Sequence, residues 1–257
     1  MSFTNINGID IYYEIHGEGE PIVLLHNGFS CTKMWKDIYP ELVKSGYRTI
    51  NYDRRGFGQS KGGKGFRDFY LSDDFRSEGM REMKGLMDFL GLDTFHILAQ
   101  CEGGVLGIDF AAEYPERVIT LTTSSTQCFS TMPMTELGML KFPDPFVELE
   151  PKLKKKIIFW HGEDSAENFY NLLRGAGGAY GLGYFDIREH LSNVKCPSLV
   201  LYPDRSFLFP VEQGVAMYRG LPRGELAVLP KCGHNTYEHQ PKEYVENVLK
   251  FLERHGG

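Results

Sequence analysis

No run of apolar residues in this chain approaches the roughly 20 that a membrane-spanning helix requires, which excludes that class. Met1 to Gly8 hold no basic stretch followed by an apolar one, so no secretory leader is read there. Positive charge is scarce: 28 Lys and Arg stand against 34 Asp and Glu, a formal net charge of −6. That balance disfavours nucleic acid as a partner, because phosphate binding calls for positive patches. Cysteines are few, odd in number and widely spaced, at Cys31, Cys101, Cys128, Cys196 and Cys232, with no C-x-x-C pair. This excludes a disulfide framework and common zinc or redox motifs, and suits free thiols in a reducing cytoplasm. Internal repeats and low-complexity linkers are also missing.

What is present is an ordinary globular composition, 42% hydrophobic and 24% charged, over 257 residues. That length supports one sizeable core. Strand-like and helix-like segments alternate. Residues 9–15 alternate apolar and polar positions as an edge strand does, and 21–26 (PIVLLH) form a continuous apolar run suited to a buried parallel strand. Helical spacing follows at 34–45, a strand at 47–53, and a long amphipathic helix at 71–90 closed by Gly91. A strand at 94–99, a helix at 101–114 stopped by Pro115, and a strand at 118–123 continue the series. After a break, strands at 198–202 and 225–229 alternate with helices at 211–219 and 241–254. Repeated βα units predict a mostly parallel twisted sheet of about eight strands with helices on both faces. The core is expected at 1–123 and 196–257, with 124–195 inserted as a helical lid of one domain.

Two lid segments have simple readings. The basic run 152–156 (KLKKK) fits a solvated helix face better than a phosphate patch. The glycine-rich stretch 175–183 (GAGGAYGLG) neither follows a strand nor opens a clear helix, so it reads as a hinge or a tight backbone contact.

The strongest chemical signal is Ala99-Gln100-Cys101-Glu102-Gly103, between a predicted strand and a predicted helix. A nucleophile at such a turn adopts a strained backbone, so the residues two away on either side must be small. Ala99 and Gly103 satisfy this. The turn also sets Cys101 at a helix N-terminus, where the dipole favours a thiolate. Glu102 is expected as a solvated first-turn acid; turned inward, it would raise the thiol pKa.

With this turn and three further motifs, the chain resembles the α/β-hydrolase superfamily, in a variant with cysteine at the nucleophile position. The motifs are Leu24-Leu25-His26-Asn27-Gly28-Phe29, Asp53-Arg54-Arg55-Gly56-Phe57-Gly58-Gln59-Ser60, and Cys232-Gly233-His234 followed by Glu238-His239-Gln240-Pro241. The resemblance implies Cys101 as nucleophile, His234 as its base, and backbone N–H groups of Gly28 and Glu102 as the oxyanion hole. Asn27 departs from the usual glycine there, so Phe29 is a second choice of donor. For the third catalytic member Asp204 is the candidate carboxylate, although the usual aspartate slot, aligned on Pro210, falls on Ser206. A thiol tolerates a weak third member better than a hydroxyl, since it ionises with an ordinary pKa of about 8.5. Asp164, in a strand-like run ending His161-Gly162-Glu163-Asp164, fits no βαβ order leading to His234. His26, His96 and His161 read as structural. The spacing His234-x-x-x-Glu238-His239 is one residue too long for the known zinc motif, and neither metal nor organic cofactor is implied.

The predicted activity is hydrolysis of a small-molecule ester or thioester through an S-acyl-cysteine, as an esterase or thioesterase. An acyltransferase, a carbon–carbon bond hydrolase and a non-catalytic ligand-binding relative stay open, because this fold hosts many chemistries. The lid aromatics suggest a substrate with an apolar or aromatic acyl part.

Overall fold

The computed structural model describes residues 2–256. An eight-stranded sheet runs β1 (Ser2–Ile6), β2 (Ile9–His16), β3 (Glu20–Leu25), β4 (Tyr47–Tyr52), β5 (Phe95–Gln100), β6 (Val118–Ser124), β7 (Ser198–Pro203) and β8 (Gly224–Leu229) along the chain. In space the order is β1-β2-β4-β3-β5-β6-β7-β8, and only β2 pairs antiparallel, with both β1 and β4. This is the expected α/β class with about eight strands.

Three differences from the expected elements stand out. The 9–15 segment is not an edge, because β1 covers it. Asn7 and Gly8 take left-handed conformations between β1 and β2, as a two-residue Asn-Gly hairpin requires. The helix expected at 34–45 is a 3₁₀ turn at Thr32–Trp35 followed by α1 (Tyr39–Lys44). The one expected at 71–90 begins only at Asp74, as α3 (Asp74–Phe89), and a separate short helix, α2 (Phe66–Tyr70), precedes it. Between these helices the rings of Tyr70 and Phe75 pack 4.7 Å apart. Gly91 ends α3 as expected, with φ of +65°. The strand-like run 157–160 lies within a helix of the lid, α6 (Pro151–His161).

Alternation along each strand sends side chains to two cores. Ile22 and Leu24 of β3 join Leu42 of α1, and Val23 and Leu25 join Met83 and Leu86 of α3 on the other face. The second face also carries α4 (Glu102–Glu113). The lid follows β6 with α5 (Met134–Lys141), α6 (Pro151–His161) and α7 (Glu163–Arg174), and a bridge between Phe129 and Asp186 closes its neck. The chain continues with α8 (Arg188–Leu191), α9 (Glu212–Gly220), α10 (Thr236–His239) and α11 (Pro241–His255). Tyr244, Val245 and Val248 of α11 pack on the α1 side. Among the described residues no helix is long and apolar enough to cross a membrane.

Candidate active site

Cys101 caps α4 with φ +53° and ψ −116°, a conformation non-glycine residues rarely hold. Hydrogen bonds over-determine it. The Cys101 N–H donates to Ser124 O at 2.7 Å, and its carbonyl accepts from Gly104 N–H at 2.9 Å and Thr126 Oγ1 at 3.1 Å. The small residue at 103 has a direct cause: a Cβ there would stand 2.5 Å from Leu25 O and 2.6 Å from His26 O.

Burial changes the expected state of the thiol. Cys101 is 7% exposed, and loss of water pushes its pKa up to about 12, opposed by the Tyr180 hydroxyl and reinforced by Glu102. The helix N-terminus therefore does not yield a resting thiolate. Sγ lies 3.6 Å from Tyr180 Oη, its hydrogen-bonding partner, while His234 lines the same cavity without a direct bond to it. The sequence marks Tyr180 as one of the lid aromatics, within the glycine-rich segment, but carries no sign that it meets the thiol. Close backbone approach is what that segment provides: a Cβ at Gly178, where φ is +57°, would meet the Glu102 carboxylate at 2.6 Å.

His234 is carried by the loop after β8. Its carbonyl accepts from Gln100 Nε2 at 3.0 Å and Ser125 Oγ at 2.7 Å. Its Nδ1 stands 3.0 Å from Ser206 Oγ. Burial lowers its pKa to about 4, so the ring is neutral near pH 7. Asp204 does not reach it. The Asp204 carboxylate accepts the Cys232 N–H at 3.0 Å and faces Arg205 at 3.7 Å, on the surface. The chain leaves β7 with Asp204 turned toward the β8 loop, and only two residues later does Ser206 come under the imidazole. Asp204 thus ties down the loop bearing His234 without contacting its ring.

Glu102 is not solvated. Its carboxylate pairs with Arg54 Nη1 at 2.6 Å, both side chains being 5% exposed. Arg54 also donates to Asn27 O at 3.1 Å and stacks on Phe57. Glu102 Oε2 has no hydrogen-bond partner among the described residues, and the side chain lines the cavity against Gly28. Asn27 Oδ1 accepts the Phe29 N–H at 3.0 Å, which removes Phe29 as an oxyanion donor and leaves Gly28 N–H free of protein acceptors among the described residues.

His26, His96 and His161 each make hydrogen bonds within the protein frame. His26 Nε2 accepts the Arg54 N–H at 3.1 Å, and His96 bonds Thr120. His161 accepts from Gly58 N–H at 3.1 Å and donates to Phe29 O at 3.0 Å, joining α6 to the core; Asp164 is exposed on α7. Among the described residues no three His, Cys, Asp or Glu side chains cluster as metal ligands would.

Above Cys101 lies a cavity of about 310 Å³. Its walls include Trp160, Tyr170, Leu173 and Tyr180 from the lid and Phe207 and Phe209 from the loop after β7. Lys156 reaches its edge and pairs with Glu238, whereas Lys152 and Lys155 of the basic run are exposed.

Comparison with known proteins agrees with this architecture. The chain is 26% identical to a 2-hydroxy-6-oxo-6-phenylhexa-2,4-dienoate hydrolase of Comamonas testosteroni, over 98% of this chain and 94% of that protein. It is also 26% identical to a 2-hydroxy-6-oxononadienedioate/2-hydroxy-6-oxononatrienedioate hydrolase of the same organism, over 96% and 92%. The solved meta-cleavage product hydrolase of Pseudomonas fluorescens IP01 superposes with a TM-score of 0.78 at 20% identity, covering 96% of this chain and 95% of that one. The family model described as alpha/beta hydrolase fold matches residues 20–180. Because that match spans more than half the chain, including the central strands and the strained turn at Cys101, the chain belongs to the alpha/beta hydrolase fold family.

Proposed function

We propose that this protein hydrolyses a carbon–carbon bond beside a ketone in a small, largely apolar substrate of the 2-hydroxy-6-oxodienoate kind. The observation that carries the reading is similarity along nearly the whole chain to hydrolases of such compounds. The nearly apolar cavity over Cys101 suits the hydrocarbon part, and Lys156 at its edge suits a carboxylate end.

The chemistry follows from the site. In its keto tautomer the substrate has a CH₂ between the ketone and an unsaturated carbonyl. Cys101 Sγ adds to the ketone carbon and surrenders its proton. The N–H groups of Gly28 and Glu102 hold the oxyanion. Collapse breaks the carbon–carbon bond, and the departing electron pair spreads over the unsaturated carbonyl before the carbon is protonated. Water then cleaves the S-acyl enzyme. An ester or thioester hydrolase is the second reading, favoured by the same turn-borne thiol, which would form the same acyl enzyme. The five unpaired cysteines suit a cytoplasmic setting.

The test is incubation with 2-hydroxy-6-oxo-6-phenylhexa-2,4-dienoate beside a panel of p-nitrophenyl esters and acyl-CoA thioesters. Release of benzoate from the dienoate, lost in Cys101→Ala, is the expected result. Turnover of esters or thioesters alone would overturn carbon–carbon cleavage in favour of the second reading.

A further inference from the structure

Ser206 occupies the position from which a carboxylate would hold the imidazole, and its hydrogen bonds determine where the His234 proton sits. A hydroxyl has one hydrogen and two acceptor lone pairs. Ser206 Oγ accepts the N–H of Leu208 at 3.2 Å and of Phe209 at 3.1 Å. With both lone pairs engaged, its O–H points at the remaining neighbour, His234 Nδ1, at 3.0 Å. Nδ1 is then the acceptor, and in a neutral ring the proton is on Nε2. An aspartate would act in the opposite sense: it only accepts, so it would hold the proton on Nδ1 and leave Nε2 free to receive one from a nucleophile.

A ring protonated on Nε2 cannot accept the thiol proton there, so the acceptor must be another group. Glu102 adjoins Cys101 in the chain and lines the cavity. Its Oε1 is held by Arg54, and its Oε2 is free of protein donors among the described residues.

We infer that Ser206 fixes His234 in the Nε2–H form, as a hydrogen-bond donor to the substrate oxygen, and that Glu102 carries the protons. The tautomer stands on hydrogen-bond geometry alone, whereas the proton route rests on the reaction proposed above. In that route the thiol proton passes to Glu102 Oε2 as the C–S bond forms. The departing carbon takes it when the carbon–carbon bond breaks. Water adds to the thioester and protonates Glu102, and the leaving thiolate recovers that proton. His234 stays neutral throughout, and nothing is oxidised or reduced. Ser206 is therefore a positioning residue and Glu102 a catalytic one.

Long-range ¹H–¹⁵N spectra of ¹⁵N-histidine-labelled protein at pH 7 test the tautomer without any substrate, with His234→Gln supplying the assignment. The expected wild-type pattern is a protonated Nε2 and an unprotonated Nδ1, reversed in Ser206→Asp. A protonated Nδ1 in the wild type overturns the inference. Glu102 is tested by acylation of Cys101 with p-nitrophenyl acetate, followed by intact mass. Glu102→Gln should slow it by about 100-fold with the His234 signals unchanged. Should that variant not fold, Glu102→Gln with Arg54→Met removes both charges and serves instead. Equal acylation rates, or no acylation of wild type, overturn the role of Glu102. If the tautomer holds and Cys101 is acylated but the dienoate is not cleaved, the proposed function fails and the assignment of His234 survives.

Discussion

The floor and the roof of the cavity are built by different forces. The floor is a network of directional bonds at the strand ends: Cys101 on Ser124, the His234 carbonyl on Gln100 and Ser125, Glu102 on Arg54. The roof is mostly aromatic packing, such as Phe169 against Phe57 and His161, and Tyr170 against Phe29. It also leaves Leu140, Val147, Phe159 and Tyr184 more than half exposed. Hydrogen bonds hold atoms to a few tenths of an ångström, as bond-making chemistry needs, whereas packing tolerates changes of shape. Reaction type therefore belongs to the floor, and substrate choice to the roof.

The sharpest way to test this division is to remove the thiol proposed as the nucleophile in the floor. Cys101→Ala should lower kcat/KM for the preferred substrate by at least about 10⁴-fold while leaving thermal unfolding nearly unchanged. A residual rate within tenfold of wild type would take catalysis away from the floor. Next in size is Arg54→Met, which strands the Glu102 charge in the cavity wall. Chemical denaturation should show a loss of about 3–5 kcal/mol, and less than about 1 kcal/mol would mean that Glu102 finds another partner.

His161 is a buried polar tie between roof and floor, and its effect depends on pH. Burial lowers its folded-state pKa to about 4, against the ordinary histidine value of 6.5 in the unfolded chain. Between those values the unfolded chain binds a proton that the folded chain refuses. Its contribution is thus full above pH 6.5 and shrinks as pH falls toward 4. Comparing pH 7 with pH 4.5, wild type should lose about 2 kcal/mol more stability than His161→Gln, with the other titrating groups common to both. Parallel curves would remove His161 from that account. The smallest effect belongs to the roof itself: Trp160→Ala should raise KM for aryl substrates by about tenfold and change kcat by less than about threefold. A collapse of kcat would show that the roof does more than select.

Legibility followed the range of the interactions. The small residues around Cys101 were readable because the strained turn forbids a Cβ locally, and the continuous apolar runs disclosed β3 and the core. The Asn7-Gly8 signal for β1 was equally local but lay in a short polar segment that offered no periodicity. Residues 157–160 resemble a strand because a short apolar run has the same composition in a buried helix. Glu102, Asp204 and Tyr180 could not be placed from their neighbours. Each is positioned by a partner far along the chain: Arg54, the Cys232 N–H, and the thiol of Cys101.

By itself the sequence determined the parallel α/β plan, the cysteine at the strained turn and the serine aligned with the usual acid. Each is a matter of residue type, spacing or local backbone sterics. Only tertiary structure decided that the thiol is protonated, that Glu102 is buried against Arg54, and that Ser206 rather than Asp204 meets His234. Proton affinity and hydrogen-bond direction depend on which groups exclude water from one another, and folding alone sets those neighbours.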